Sequence, residues 1–142
     1  RGPIPTFIEI TEGKLHDVNI LDELLIEPEA FYIMDRGYLD FARLFVLHQA
    51  LAFFVIRAKD NLDFIRHQSL PVDEQTGVRS DQIGKLGGVY SQRDYPERLR
   101  RIHFFDAEQQ RHLFFLTNHF ELPALTIAQL YECQSVRESA SP

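Results

Sequence analysis

The sequence predicts an α/β protein in which a strand–helix–strand unit is followed by a β-rich segment. Residues 30–34 and 51–56 are continuous apolar runs, the pattern of strands that are buried on both faces. Between these runs, Asp40 can cap a helix that extends to residue 50. Because a strand, a helix and a second strand follow one another within about thirty residues, we expect the two strands to be parallel.

After Asn61 the hydrophobic pattern changes from helical to strand-like. Residues 63–95 contain Pro71 and several glycines among short mixed segments, which is typical of strands and loops. The runs 99–105 and 112–117 predict a hairpin, and the helical period returns after Pro123. We therefore predict a core formed by residues 1–62 and 119–142, interrupted by a β-rich insertion of residues 63–118.

Composition limits the function classes only weakly. The chain has 142 residues, 44% of them hydrophobic, which is enough for one real core. A net charge of −6 argues mildly against a simple nucleic-acid-binding module. A single cysteine, Cys133, excludes an internal disulfide framework and fits the cytoplasm. The longest apolar run is too short for a membrane span. Since the chain begins at Arg1 without a methionine, we expect an internal piece of a longer protein.

Asp35 is the first candidate functional residue. It follows a predicted buried strand directly, at the carboxyl end, where open α/β sheets place their ligand chemistry. A carboxylate there can offer hard oxygen atoms to magnesium. The alternative is a turn aspartate whose carboxylate accepts a hydrogen bond from the N–H of Gly37.

Arg57 and Lys59 occupy the corresponding position after the second strand. Strand alternation puts both side chains on one face if the strand continues to Lys59. Two cations beside a metal site are well placed to bind phosphates. The alternative is an ordinary solvated strand end.

The histidines invite a comparison with zinc sites. His103 and His112 can face each other across the predicted hairpin, and His119 follows nearby. However, the spacing of a zinc motif is missing and Cys133 has no local partner. We therefore interpret these histidines as surface residues of the hairpin.

The ordered motifs of the chain resemble one enzyme family. The motifs are Ile10-Thr-Glu-Gly-Lys-Leu-His-Asp-Val-Asn19, Phe31-Tyr-Ile-Met-Asp-Arg-Gly-Tyr38, Phe53-Phe-Val-Ile-Arg-Ala-Lys59, Leu116-Thr-Asn118 and Pro123-Ala-Leu-Thr-Ile-Ala-Gln-Leu-Tyr131. Together they resemble the DDE transposases of bacterial insertion sequences, in particular the group with a Tyr-x2-Arg-x3-Glu-x6-Lys motif. The resemblance implies an RNase H-like α/β fold with a β-rich insertion, which agrees with the change of pattern after Asn61.

The resemblance also implies an activity and its residues. Members of the family cut DNA at the ends of the element and join the 3′ hydroxyl to a target strand, using two magnesium ions held by two aspartates and a glutamate. Asp35 matches the second aspartate and Glu138 the glutamate, so both are predicted to be catalytic and to bind Mg²⁺. The first aspartate is expected upstream of Arg1. The matched motifs further imply contacts to DNA from Arg36, Tyr38, Arg57, Lys59, Asn118 and Tyr131.

The sequence departs from the motif near its end. Tyr131 matches the motif tyrosine, and Glu138 follows it at the expected spacing, but Gln134 stands where the motif has arginine, and the chain ends before the lysine. We therefore expect a truncated copy that is inactive by itself. The parent is expected to be a cytoplasmic, nucleoid-associated homodimer that binds element ends and target DNA without a membrane anchor. The alternatives are an RNase H-like nuclease without strand transfer and a non-catalytic remnant domain.

Overall fold

A computed structural model describes residues 7–9, 26–34 and 40–140, without the side chains of residues 7–9 and 134–140. In this part of the chain the strands are β1 (Phe7–Glu9), β2 (Phe31–Met34), β3 (Phe53–Ala58), β4 (Phe64–Ser69), β5 (Val78–Leu86), β6 (Leu99–Asp106) and β7 (Arg111–Thr117). The α-helices are α1 (Phe41–Gln49), α2 (Val89–Asp94) and α3 (Ala124–Ala140), and a short 3-10 helix spans Glu74–Thr76. The predicted α/β class is confirmed.

All of these strands belong to one mixed sheet in the order β1-β2-β3-β7-β6-β5-β4. Strands β1, β2 and β3 are parallel, with Met34 of β2 opposite Ile56 of β3. Every following pair is antiparallel. The sheet is therefore parallel on one side of β3 and antiparallel on the other.

The predicted strand–helix–strand unit is confirmed as β2-α1-β3. The carboxylate of Asp40 accepts a hydrogen bond from the backbone N–H of Arg43 at 3.3 Å, so it caps α1 as the sequence predicts. The second strand begins two residues later than predicted, at Phe53. Leu51 has a φ of 65° and a side chain that is 70% exposed, because it forms the turn between α1 and β3.

The segment from residue 63 to residue 118 is β-rich, as predicted. It contributes β4, β5, β6 and β7, including the predicted hairpin of β6 and β7. Strand β7 pairs with β3, with Ala58 opposite Phe114, so the segment extends the sheet of β1–β3. That residues 63–118 form an insertion between the two parts of a core, 1–62 and 119–142, stays a prediction.

Each face of the sheet carries its own apolar core. Alternation along β2 and β3 sends Tyr32, Met34, Phe54 and Ile56 toward α1, where they pack with Leu44 and Leu47. The intervening Phe31, Ile33 and Val55 pack instead with Ile127, Ala128 and Tyr131 of α3. All four residues of β2 are buried, which is why this strand is a continuous apolar run.

Candidate functional site

The candidate site is the edge of the sheet at which the parallel strands β2 and β3 end. Met34 is the last residue of β2 and lies opposite Ile56. Asp35 follows Met34 in the sequence, so a single peptide unit of about 3.8 Å joins their Cα atoms. Asp35, Arg36 and Tyr38 lie outside the described residues. Their predicted roles stay predictions.

Arg57 and Lys59 lie at the same end of the neighbouring strand. Strand β3 ends at Ala58, so Lys59 is the first residue after the strand and alternation does not determine its side. Arg57 is half-buried and Lys59 is exposed. Both nevertheless line one cleft of about 570 Å³, together with Asp60, Asn61, His112 and Phe114. The structure therefore brings the two predicted phosphate-binding cations to one surface.

Helix α3 runs toward this edge. Near its beginning, Arg100 donates to the carbonyl of Leu122 at 2.7 Å. Further along, Glu132 reaches Arg111, the first residue of β7, at 3.3 Å. Since β7 is antiparallel to β3, its first residues lie at the carboxyl end of β3. Glu138 is six residues beyond Glu132, about 9 Å further along the helix axis. The helix places its backbone at this end of the sheet, while the Glu138 side chain lies outside the described residues.

A carboxyl pair couples α3 to the hairpin. Asp106, at the end of β6, is buried, and its carboxyl lies near that of Glu132 on α3. Burial, and then the contact with Asp106, raise the pKa of Glu132, whereas the contact with Glu132 lowers the pKa of Asp106. Because the two shifts are opposite, Glu132 holds a proton more readily than Asp106 does, and Arg111 lies beside both carboxyls.

Two of the predicted DNA contacts are buried within the protein. The side-chain oxygen of Asn118 accepts from the N–H of Phe54 at 2.9 Å, and its amide nitrogen donates to the carbonyl of Ala52 at 3.0 Å. These bonds tie the end of β7 to the beginning of β3, at the opposite edge from Met34. The ring of Tyr131 is 8% exposed and packs against Phe115 at 5.1 Å. Both environments are structural, and the predicted contacts to DNA stay untested.

The structure contains a buried ion pair that the sequence did not predict. The guanidinium of Arg100 makes two bonds of 2.8 Å to the carboxylate of Asp81 on β5. It also donates to the carbonyls of Leu122 and of His119. Arg100 lies in a stretch that also holds Arg93, Arg98 and Arg101. The sequence signal for its burial was its place two residues before the apolar Ile102, on the same face of β6, where Ile102 is buried. The ion pair holds the turn that leads into α3.

The described residues contain no group of three or more histidine, cysteine or acidic side chains that could hold a metal ion. His103 and His112 do face each other, with ring nitrogens 2.8 Å apart. His119 is elsewhere, against Phe31 and Phe53. That the hard carboxylate oxygens of Asp35 and Glu138 hold magnesium stays a prediction, since both side chains lie outside the described residues.

The chain is similar in sequence to known proteins. The family described as transposase DDE domain matches residues 1–140. A protein of Sinorhizobium fredii whose name describes a transposase, y4zB, is 33% identical over 132 residues, which cover 90% of this chain and 36% of that protein. A protein of Geobacillus stearothermophilus, named as a transposase for insertion sequence element IS5377, is 31% identical over 131 residues, covering 91% of this chain and 34% of that protein.

The chain thus spans about a third of the length of these relatives. No solved structure matches it significantly. In the described part of the chain, no helix has the length and apolar character needed to cross a membrane. The mixed α/β sheet agrees with the RNase H-like fold that the resemblance implies. The family match over nearly the whole chain shows that this protein belongs to the transposase DDE domain family.

Proposed function

We propose that the chain supplies part of the catalytic domain of a DNA transposase, which cuts and joins DNA strands with the help of magnesium ions. The observation that supports this proposal is the convergence at one edge of the sheet. Strand β2 ends one residue before Asp35, β3 ends between Arg57 and Lys59, and α3 runs toward the same end with Glu138 in its last turns. These are the residues that match the family motifs.

The carboxylates and the cations have different roles in this proposal. When bound, divalent metal ions stabilise the charge on the attacking and leaving oxygens of the phosphate. Asp35 and Glu138 would hold the ions through carboxylate oxygens, and the family pattern requires one further aspartate. Arg57 and Lys59 would bind the DNA backbone in the cleft that they share, Arg57 by two parallel hydrogen bonds and Lys59 as a point charge.

Magnesium titration followed by NMR tests the metal-binding part. In the ¹⁵N-labelled chain, the amide signals around Asp35 and along the end of α3 should shift as magnesium is added. Asp35→Asn should remove these shifts because it removes a carboxylate ligand. Asp40→Asn is the matched control, since it makes the same charge change five residues away and asparagine still caps a helix. Shifts that survive Asp35→Asn would show that Asp35 holds no metal. Shifts that vanish equally in Asp40→Asn would show that the loss is not specific to Asp35.

Strand cleavage itself is tested in the longer protein. A labelled DNA that carries the end of the element is incubated with the parent protein and magnesium, and nicked and joined products are separated on a denaturing gel. Both products should disappear in Asp35→Asn and persist in Asp40→Asn. Nicking without joined products would favour the alternative of a nuclease without strand transfer.

A further inference from the structure

One face of the β6–β7 hairpin carries a row of rings with an arginine at either end. The ring of Phe114 stacks on His103 at 4.2 Å with an interplanar angle of 17°. His103 lies 5.0 Å from His112, which lies 4.8 Å from Phe105. These four side chains come from alternate positions of two paired strands, so they share one face of the sheet. We call Phe114, His103, His112 and Phe105 the ring row.

The two arginines cap the row by cation–π contacts. The guanidinium carbon of Arg101 lies 5.0 Å from the centroid of Phe114, and that of Arg79 lies 5.2 Å from the centroid of Phe105. The only acid that pairs with Arg79 among the described residues is Glu74, at 3.4 Å in an exposed contact, which is worth little. The surface is therefore aromatic along its length and positive at its ends, in a chain whose net charge is negative.

The row is accessible and adjoins the candidate site. His112 and Arg79 are exposed, and the other three rings are half-buried. His112 and Phe114 also line the cleft that contains Arg57 and Lys59. A strand bound along the row would therefore continue into the cleft. A metal ion fits this place poorly, because no third ligand stands beside the two histidines among the described residues and two guanidinium groups are close by.

We propose that the ring row and its two arginines bind a single DNA strand, with unpaired bases stacked on the exposed rings and phosphates on Arg79 and Arg101. Aromatic rings beside cations form the usual platform for single strands, since every base offers a face for stacking and every nucleotide a phosphate. A duplex hides the faces of its bases and would bind through charge alone. That the bound strand is DNA rather than another anionic polymer rests on the proposed function. That the ring row and its arginines form a binding surface rests on the contacts described above.

The first test measures binding without metal, in EDTA, so that it does not depend on Asp35 or Glu138. Fluorescence anisotropy follows a labelled oligothymidine of about twelve nucleotides, within the usual site size of such platforms. Arg79→Gln should weaken binding about fivefold or more, because it removes a cation that binds a phosphate. Arg93→Gln is a matched control, because Arg93 is also exposed, paired with an acid (Asp94) and stacked on a ring (Tyr90). It should weaken binding less than about twofold.

The histidine is tested in the same way. His112→Ala should weaken binding about fivefold, whereas His67→Ala, at an exposed position on the edge strand β4, should leave it unchanged. An NMR shift map of the unaltered chain needs no variant: oligothymidine should shift the amides of β6 and β7 around His103 and Phe114. Equal effects of Arg79→Gln and Arg93→Gln, shifts confined to other elements, or tighter binding of a duplex or an oligouridine would each overturn the proposal.

The outcome is separable from that of the proposed function. If magnesium shifts no amide signal around Asp35, the proposed metal site is wrong, but the anisotropy result still holds. Conversely, magnesium binding at Asp35, together with equal losses of oligothymidine affinity in Arg79→Gln and Arg93→Gln, would refute only the ring-row proposal.

Discussion

The ion pair of Arg100 and Asp81 gives the strongest prediction of stability. Both side chains are almost fully buried, 3% and 6% exposed, and two bonds of 2.8 Å join them. Asp81→Asn keeps the shape of the side chain but leaves the guanidinium buried with only carbonyl partners. Breaking a buried pair by removing one partner costs about 3–5 kcal/mol. For a chain of this size that corresponds to a fall in Tm of roughly 10–15 °C.

Urea denaturation at neutral pH measures this cost, and two further variants interpret it. Asp94→Asn breaks the exposed pair with Arg93, 3.3 Å long, and should cost less than about 1 kcal/mol. The double variant Arg100→Met with Asp81→Leu removes both charges and should be less destabilised than Asp81→Asn, because no unpaired charge remains. A loss below about 1 kcal/mol in Asp81→Asn, or a double variant that is less stable than the single, would refute the reasoning.

Three further predictions concern Glu132, Asn118 and the cleavage of DNA. Because burial and Asp106 raise the pKa of Glu132, its ionisation opposes folding. The free energy of unfolding should therefore fall as pH rises from the unfolded pKa near 4.5 through the folded value, and it should fall less in Glu132→Gln. The measurement is urea denaturation at a series of pH values from acid to neutral, and an equal pH dependence in the two proteins would contradict the prediction. Asn118→Ala should cost about 2–4 kcal/mol, since it leaves two buried backbone groups unpaired, whereas Asn61→Ala at an exposed position should cost almost nothing; equal denaturation midpoints would refute this. Finally, this 142-residue chain should not nick labelled element-end DNA in magnesium or manganese, because two carboxylates cannot build a two-metal site; nicking that Asp35→Ala abolishes would show a complete site.

Local patterns were sufficient for much of the fold. The buried strand β2, the cap of α1, the parallel pairing of β2 with β3 and the β6–β7 hairpin all follow from hydrophobic runs, capping residues and short connections. These features depend on residues that are close in sequence, so the local hydrophobic pattern was enough to predict them. The family motifs add Asp35 and Glu138 as metal-binding residues, and this part stays a prediction.

The sequence did not show the environments of side chains whose neighbours come from distant parts of the chain. The family motif contains Asn118, but the sequence did not show that its amide oxygen accepts a hydrogen bond from the N–H of Phe54, 64 residues away; its predicted contact with DNA stays a prediction. Arg100 belonged to a basic stretch, yet it pairs with Asp81 inside the sheet. The sequence likewise did not show that β7 pairs with β3, while the division of the chain at residue 63 stays a prediction.

The sequence by itself determined the strands β2, β3, β6 and β7 and the helices α1 and α3, because alternation and helical periodicity are properties of neighbouring residues. It did not predict α2, which lies in a segment that was predicted to hold strands and loops. It also determined the family, through motifs that keep their order along the chain. Only the tertiary structure decided that β7 pairs with β3, that α3 runs toward the carboxyl ends of β2 and β3, and that four rings and two arginines form one row. The pairing of β7 with β3 joins strands far apart in sequence, and a shift of its register by one residue would send every side chain to the other face. The direction of α3 and the contact of Arg79 with Phe105 likewise depend on parts of the chain that are distant in sequence.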